Sequence, residues 1–251
     1  MKRLIKSLLI LSLSIFLSSF KAMAKNNLVT DLSESTVEIS STFSGAKILL
    51  FGAYDGQNND DIIVVVSGEN GEIKVDKKEK NFGVWMISDS VKFSNVPKYY
   101  YIASNKKIEK ITTQKEIIKR GLNFDNFNLI NPEINSKKKY LEWYNALKRN
   151  MKKKQFWKIE ENSIRLNKNT LFRKTLTLPS NVSTGIYNVQ ILHYRKGNLI
   201  SQEASKIRIS KTGISASIYN IAHKFSAIYG IIAVIIALFF GWVTNLIFRK
   251  I

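Results

Sequence analysis

The stretch FSAIYGIIAVIIALFFGWVTNLIF, residues 225–248, carries no charged side chain, and between Ala227 and Phe248 thirteen residues are Ile, Leu, Val or Phe. As a helix, residues 227–248 extend about 33 Å at about 1.5 Å per residue, against about 30 Å for bilayer hydrocarbon. A soluble domain rarely hides so long a run on every face. The pattern therefore predicts one C-terminal transmembrane helix at 225–248. Ala233, Ala237 and Gly241 recur four apart on one face of it, the spacing at which membrane helices approach closely. In a helix this rich in alanine the same spacing also arises by chance, so helix association stays one of two readings.

The other end of the chain sets the expected orientation. Lys2, Arg3 and Lys6 precede a short apolar run from Leu8 to Phe20, and Ala22-Met23-Ala24 has the small-residue form of a cleavage site. Residues 1–24 read as a secretory signal, with an uncleaved anchor as the alternative. Both place the chain after Lys25 outside the cytoplasm, and the span then leaves a cytoplasmic tail at 249–251. Charge alone does not settle this: Arg249 and Lys250 flank the inner end, but Arg208, Lys211 and Lys224 precede the outer one. The signal outweighs that local imbalance.

The chain has no cysteine. An extracytoplasmic domain of this length must then hold by core packing alone, and thiolate nucleophiles and thiolate metal sites are excluded. The net charge is +20, four of it from the signal. Such a balance often marks nucleic-acid binding, but the expected location argues against it. Solvated lysines, or attraction to anionic lipid or an acidic partner, account for the charge.

Between signal and span the pattern is mainly β. In residues 25–105, Val37 and Ile39 alternate with polar neighbours, while Ala46–Ala53 (AKILLFGA) and Ile62–Val66 (IIVVV) read as buried central strands. Glu72–Lys77 alternates, and Phe82–Ile87 and Lys98–Ala103 add aromatic-rich strands. Asp55-Gly-Gln-Asn-Asn-Asp-Asp61 has carboxylate spacing reminiscent of a calcium loop, but it lacks the closing Glu and reads as a polar hairpin loop. Residues 106–155 form a helical insertion. Thr113 caps a short helix through Arg120, which Gly121 ends, and Ser136 caps a longer one. There Tyr140, Tyr144, Leu147 and Met151 make one apolar face, while Lys137, Lys138, Lys139, Lys148, Arg149, Lys152, Lys153 and Lys154 stand against a lone Glu142. This basic helix either packs on the β domain with solvated lysines or lies on anionic lipid or a partner.

Residues 156–210 return to β alternation, with Arg195-Lys-Gly-Asn198 turning the last two strands into a hairpin. Tyr187, at a strand start after the loop Pro179–Gly185, has the placing of an immunoglobulin-type tyrosine corner or of an ordinary strand tyrosine. Residues 211–224 read as a juxtamembrane interfacial helix. The fold class expected is mainly β, with one or two immunoglobulin-like sandwich lobes, a helical insertion and one transmembrane helix. Two lobes follow if the first β segment closes alone, and one if the later strands complete its sheets.

No nucleotide loop, hydrolase elbow or HExxH stands in the sequence, and the two histidines, His193 and His223, lie on different elements. No catalytic, cofactor-binding or metal-ligating residue is assigned. VTDLSESTVEIS, FSGAKILLFGA, IIVVVSG with KKEKNFGVWM and VKFSNVPKYYYIAS, LFRKTLTLPSNVSTGIYNVQILHY, and the stretch from IYNIAHK through the span resemble, in order, the putative transmembrane proteins of alphaproteobacteria. That resemblance implies a signal peptide, a periplasmic β-rich domain, one C-terminal span in the bacterial inner membrane and, through sulfite-exporter-like permeases encoded near members, a transport-linked role. The expected function is non-catalytic: an anchored protein whose β surface meets membrane lipid and a membrane-protein or envelope partner. The rival is an anchored enzyme using carboxylates. Acidic residues converging in a cleft would favour the rival, and an exposed apolar patch would favour the partner.

Overall fold

The computed structural model describes residues 28–212 apart from 126, 128, 130–133 and 135, together with 218 and 222–248. The signal segment at 1–24, most of the juxtamembrane segment and the tail at 249–251 lie outside the described residues. Strands β1 (Leu28–Leu32), β2 (Thr36–Ile39), β3 (Ala46–Tyr54), β4 (Asp60–Ser67), β5 (Asn70–Asn81), β6 (Val84–Pro97) and β7 (Tyr100–Ser104) come first. Helices α1 (Ile108–Ile111), α2 (Gln114–Lys119) and α3 (Lys137–Lys153) follow. Then come β8 (Trp157–Glu160), β9 (Arg165–Asn167), β10 (Leu171–Leu178), β11 (Gly185–Arg195), β12 (Asn198–Lys211) and the apolar helix α4 (Ser226–Phe248).

Two sheets form a sandwich. One has the order β1-β3-β10-β9, the other β2-β12-β11-β4-β7-β8. Both take strands from both halves of the chain: β10 lies antiparallel to β3 from Leu171↔Ala53 to Leu178↔Ala46, and β11 lies antiparallel to β4 from Asn188↔Ser67 to Arg195↔Asp60. Of the two arrangements open to the sequence, this strand pairing is that of one sandwich. In the six-stranded sheet β2 runs parallel to β12, and β7 parallel to β8.

β4 explains why the domain has two cores. Its run IIVVV is buried on both faces, as continuous apolar strands are when both sides are covered. Ile62, Val64 and Val66 point between the sheets, with Ile48, Leu50, Phe172, Leu176 and Val189. Ile63 and Val65 point the other way, into a second core with Trp143, Tyr144, Leu147 and Met151 of α3, and Val75, Val91 and Phe93 at the base of the β5–β6 hairpin. The helical insertion thus packs on the outer face of the six-stranded sheet. Trp157 anchors that layer: it stacks on Phe124 with ring centroids 5.6 Å apart and donates its indole N–H to the Pro97 carbonyl at 2.8 Å.

Three local expectations are corrected. β3 is not buried on both faces; it alternates, leaving Leu49 and Phe51 exposed. The Asp55–Asp61 loop is no hairpin, because it carries the chain from β3 in one sheet to β4 in the other. Phe82 and Gly83 are the turn of the β5–β6 hairpin, with φ of 49° and 84°, and β6 begins after them. Lys196 and Gly197, with φ of 49° and 84°, make the matching turn between β11 and β12. Positive φ at both central residues suits the right-handed strand twist.

Among the described residues α4 is the one helix long and apolar enough to cross a membrane. Ser226–Asn245 has a mean hydropathy of 2.3 and none of it is buried by the rest of the chain. A helix apolar all round, with no protein covering it, calls for lipid around it.

Candidate functional site

The outer face of the four-stranded sheet leaves a group of large apolar side chains exposed. Strand alternation puts Leu28, Ile48, Leu50 and Phe172 into the core, so Val29, Leu49, Phe51 and Leu171 face outward. The register aligns them: Val29, Ala53 and Leu171 sit side by side, and in the next row Asp31, Phe51 and Arg173 do, with Arg165 beyond Arg173. Phe51 is 43% exposed and Leu171 50%. A concavity of about 760 Å³ lies over this face, with Phe51 and Leu171 in its floor and Arg165 and Arg173 along one side. Beneath it, a Cβ at Gly52 would lie 2.4 Å from the Val29 carbonyl oxygen and 2.7 Å from the Phe172 ring. Glycine at that position lets β1 and the Phe172 ring close on β3.

The acidic residues converge elsewhere. Asp60, wholly buried where β4 begins, faces Arg195 across the sheet. It accepts hydrogen bonds from Arg195 Nε and Nη2 at 2.8 Å each and from the Gln57 amide at 2.8 Å, and lies 2.9 Å from His193 Nε2. Burial alone would raise the Asp60 carboxyl, but Arg195, the Gln57 amide and His193 outweigh it and hold the group well below the usual carboxylate range. Asp61 is taken up by Asn105 Nδ2 at 2.8 Å and Lys106 at 2.9 Å. His193 Nδ1 lies 3.2 Å from Ser201 Oγ, so serine, histidine and aspartate stand in line. A nucleophilic triad needs an open nucleophile and a carboxylate free to support the imidazolium. Here the His193 ring is wholly buried, Asp60 is neutralised by Arg195, and Ser201 lies outside the concavity. The chemistry available to this cluster is cohesion: it ties the loop after β3 to the ends of β4 and β11.

A second polar knot crosses the sandwich. Lys174 of β10, buried, lies 2.6 Å from Glu160 of β8, which also binds Lys158 at 2.6 Å and accepts the Tyr101 hydroxyl at 2.6 Å. Burial works against the Glu160 charge, and these three partners bring its pKa down to about 2.

The basic helix divides by face. Trp143, Tyr144, Leu147 and Met151 are buried, with Tyr140 beside them, and Ser136 stands at the N-cap without a side-chain hydrogen bond. Lys148 pairs with Asp125 at 2.6 Å, Lys152 sits over the Phe124 ring, and Lys139 lies 3.8 Å from Asp89 of β6. Arg149 lines the groove between helix and hairpin. Lys137, Lys138, Lys153 and Lys154 are exposed. On α4, Ala233, Ala237 and Gly241 share one face, and a Cβ at Gly241 would meet nothing within 4 Å.

Tyr187 is buried at the start of β11, packs on Tyr99 with ring centroids 5.5 Å apart, and donates its hydroxyl to the Ser183 carbonyl at 2.8 Å in the preceding loop. Tyr187→Phe keeps the ring and removes that bond, so it is expected to cost about 1 kcal/mol, read as a lower unfolding midpoint of the detergent-solubilised chain.

Sequence reasoning missed Phe51, Arg165 and Arg173 as a group, since their meeting depends on β10 pairing with β3 across more than 100 residues. One local signal was present: AKILLFGA is apolar at both strand parities, yet it ends in a sheet covered on one side only.

A family model described as "Putative transmembrane protein (Alph_Pro_TM)" matches residues 27–250 of the chain. No curated protein and no solved structure matches it.

Proposed function

The chain belongs to this putative transmembrane protein family, and from that premise we propose that it is a non-catalytic binding protein of the bacterial inner membrane, anchored by α4 with its sandwich in the periplasm. It presents the outer face of the four-stranded sheet to a membrane-protein or envelope partner, in the manner of a transporter accessory subunit. The supporting observation is the concavity lined by exposed Val29, Phe51 and Leu171 with Asp31, Arg165 and Arg173, with Leu49 exposed on the same face. Large apolar side chains gathered in a concavity mark a site of association. The arginines fit a partner with carboxylates at the edge of an apolar contact. The rival, an enzyme using carboxylates, would draw on Asp60 and Asp61, and both are already engaged by cations of the same domain.

A photo-crosslinking residue at Phe51, in the full chain in native membranes, is expected to capture one dominant protein. Phe51→Glu with Leu171→Glu is expected to abolish capture by a crosslinker at Leu49 while the unfolding midpoint falls by no more than about 4 °C, since substitutions at half-exposed positions change stability modestly. Equal capture from Leu49 and from Lys115, on the opposite layer, would sink the assignment.

A further inference from the structure

We propose that the tip of the β5–β6 hairpin docks into the headgroup region of an anionic lipid surface. The base of this hairpin is fixed: Val75, Val91, Phe93 and Val96 are buried in the second core. Its tip is not. Phe82 is wholly exposed, and Val84, Trp85, Met86 and Ile87 are each more than half exposed. Turn chemistry does not explain Phe82. With φ of 49° it occupies a position where Asn or Gly is favoured, and a non-glycine residue there carries strain. An aromatic ring held at such a position and buried against nothing serves neither turn nor core.

The opposite strand supplies the charge. Lys80 lies across from Trp85 and Lys78 across from Ile87. Lys77 is paired with Glu79 at 2.8 Å, and Asp89, opposite Lys77, lies 3.8 Å from Lys139 of α3, which leaves Lys78 and Lys80 as the net charge beside the apolar residues. Aromatic and aliphatic side chains next to lysines suit the boundary between acyl chains and anionic headgroups. Depth follows from the backbone. A two-stranded ribbon has two open edges whose N–H and C=O groups need water or headgroup partners, so the tip enters the interface and not the hydrocarbon core. The span of the same chain holds the domain at the bilayer, so docking is an intramolecular step at high effective concentration. This surface lies on a different part of the domain from the apolar sheet face and does not depend on the partner proposed for it.

The absence of cysteine makes the test direct. The full chain carrying Phe82→Cys is labelled with an environment-sensitive fluorophore and reconstituted into vesicles of phosphatidylcholine with about one-third phosphatidylglycerol. Quenching by lipids bearing a nitroxide near the headgroup is expected at position 82 and not at a Lys115→Cys control. Each lysine near an anionic surface favours the docked state about five-fold. Lys78→Glu with Lys80→Glu is therefore expected to shift the docked-to-free ratio at least about twenty-five-fold and remove the quenching, as will high salt. Quenching equally strong in pure phosphatidylcholine, or unchanged in the double variant, would overturn the assignment to anionic lipid. So would label protection that tracks crosslinking between two copies of the chain or to another protein. An unchanged unfolding midpoint of each variant shows that the readout reports docking.

Discussion

Replacing Asp60 with alanine is expected to destabilise the domain by about 3 kcal/mol, the cost of leaving buried charge and hydrogen-bonding groups without their partner. For a domain of this size that is a fall of about 6–12 °C in the unfolding midpoint. The argument rests on burial. Asp60 has no solvent access and holds Arg195, His193 and the Gln57 amide at once. Without it, His193 keeps Ser201, but its Nε2 faces a cavity, and Arg195 loses both bonds to the carboxylate. Asp61→Asn makes the contrast. Its partner Lys106 is 44% exposed and regains water when released, so the cost is expected below about 1 kcal/mol. Thermal or denaturant unfolding of the two variants in the same detergent decides the matter. Similar losses would mean that Asp60 is not the keystone described.

The same cluster sets an acid limb. Asp60 is held below its ordinary value in the folded state, so its contribution is full above its unfolded pKa of about 3.9 and fades as the pH falls through that value toward the folded one. Glu160 behaves alike between its ordinary 4.5 and about 2. The gap between wild type and Asp60→Ala is therefore expected to be full at pH 6 and to narrow below about pH 4.

Much of this architecture could be read from residue order, and the exceptions have one cause. Local pattern was enough for the apolar helix Ser226–Phe248, the helix after Ser136, the turn at Lys196-Gly197 and the doubly buried strand Ile62–Val66, because each depends on neighbours within a few residues. What escaped was pairing over long separations. The face built by Phe51 with Arg173, and the cluster of Asp60 with Arg195, meet across 100 residues or more, and no period in the sequence encodes which strands become neighbours. The reading of Ala46–Ala53 failed for a related reason. Its apolar content at both parities signalled burial on two faces, but the helical layer covers only the six-stranded sheet. The residues left over are the ones on which the proposed partner contact rests. The expected strand Phe82–Ile87 begins only at Val84, because Phe82 and Gly83 form the turn, and strand propensity says nothing about how far a hairpin projects.

Placing two lysines in α4 is expected to release the chain from the membrane, whereas one is not. Thirteen Ile, Leu, Val and Phe residues in 227–248 favour insertion by roughly 4–8 kcal/mol, and a lysine near the helix centre opposes it by roughly 2.5–3.5 kcal/mol besides the apolar residue it replaces. Ile236→Lys alone leaves a favourable balance, helped by snorkelling of the long side chain. Ile236→Lys with Phe239→Lys brings the balance close to zero. These two positions lie three apart and project from one side of the helix, so their charges cannot both be hidden by a small rotation. Ile236 is 50% exposed and Phe239 57%, and no described part of the sandwich covers them, so folding of the β domain is not expected to suffer. In alkaline-washed membranes the wild-type chain and the single variant should stay in the pellet, and the double variant should move largely to the supernatant with its midpoint unchanged. A double variant that still sediments after the wash would mean that something other than α4 holds the protein to the bilayer, and the hairpin tip would be the first place to look.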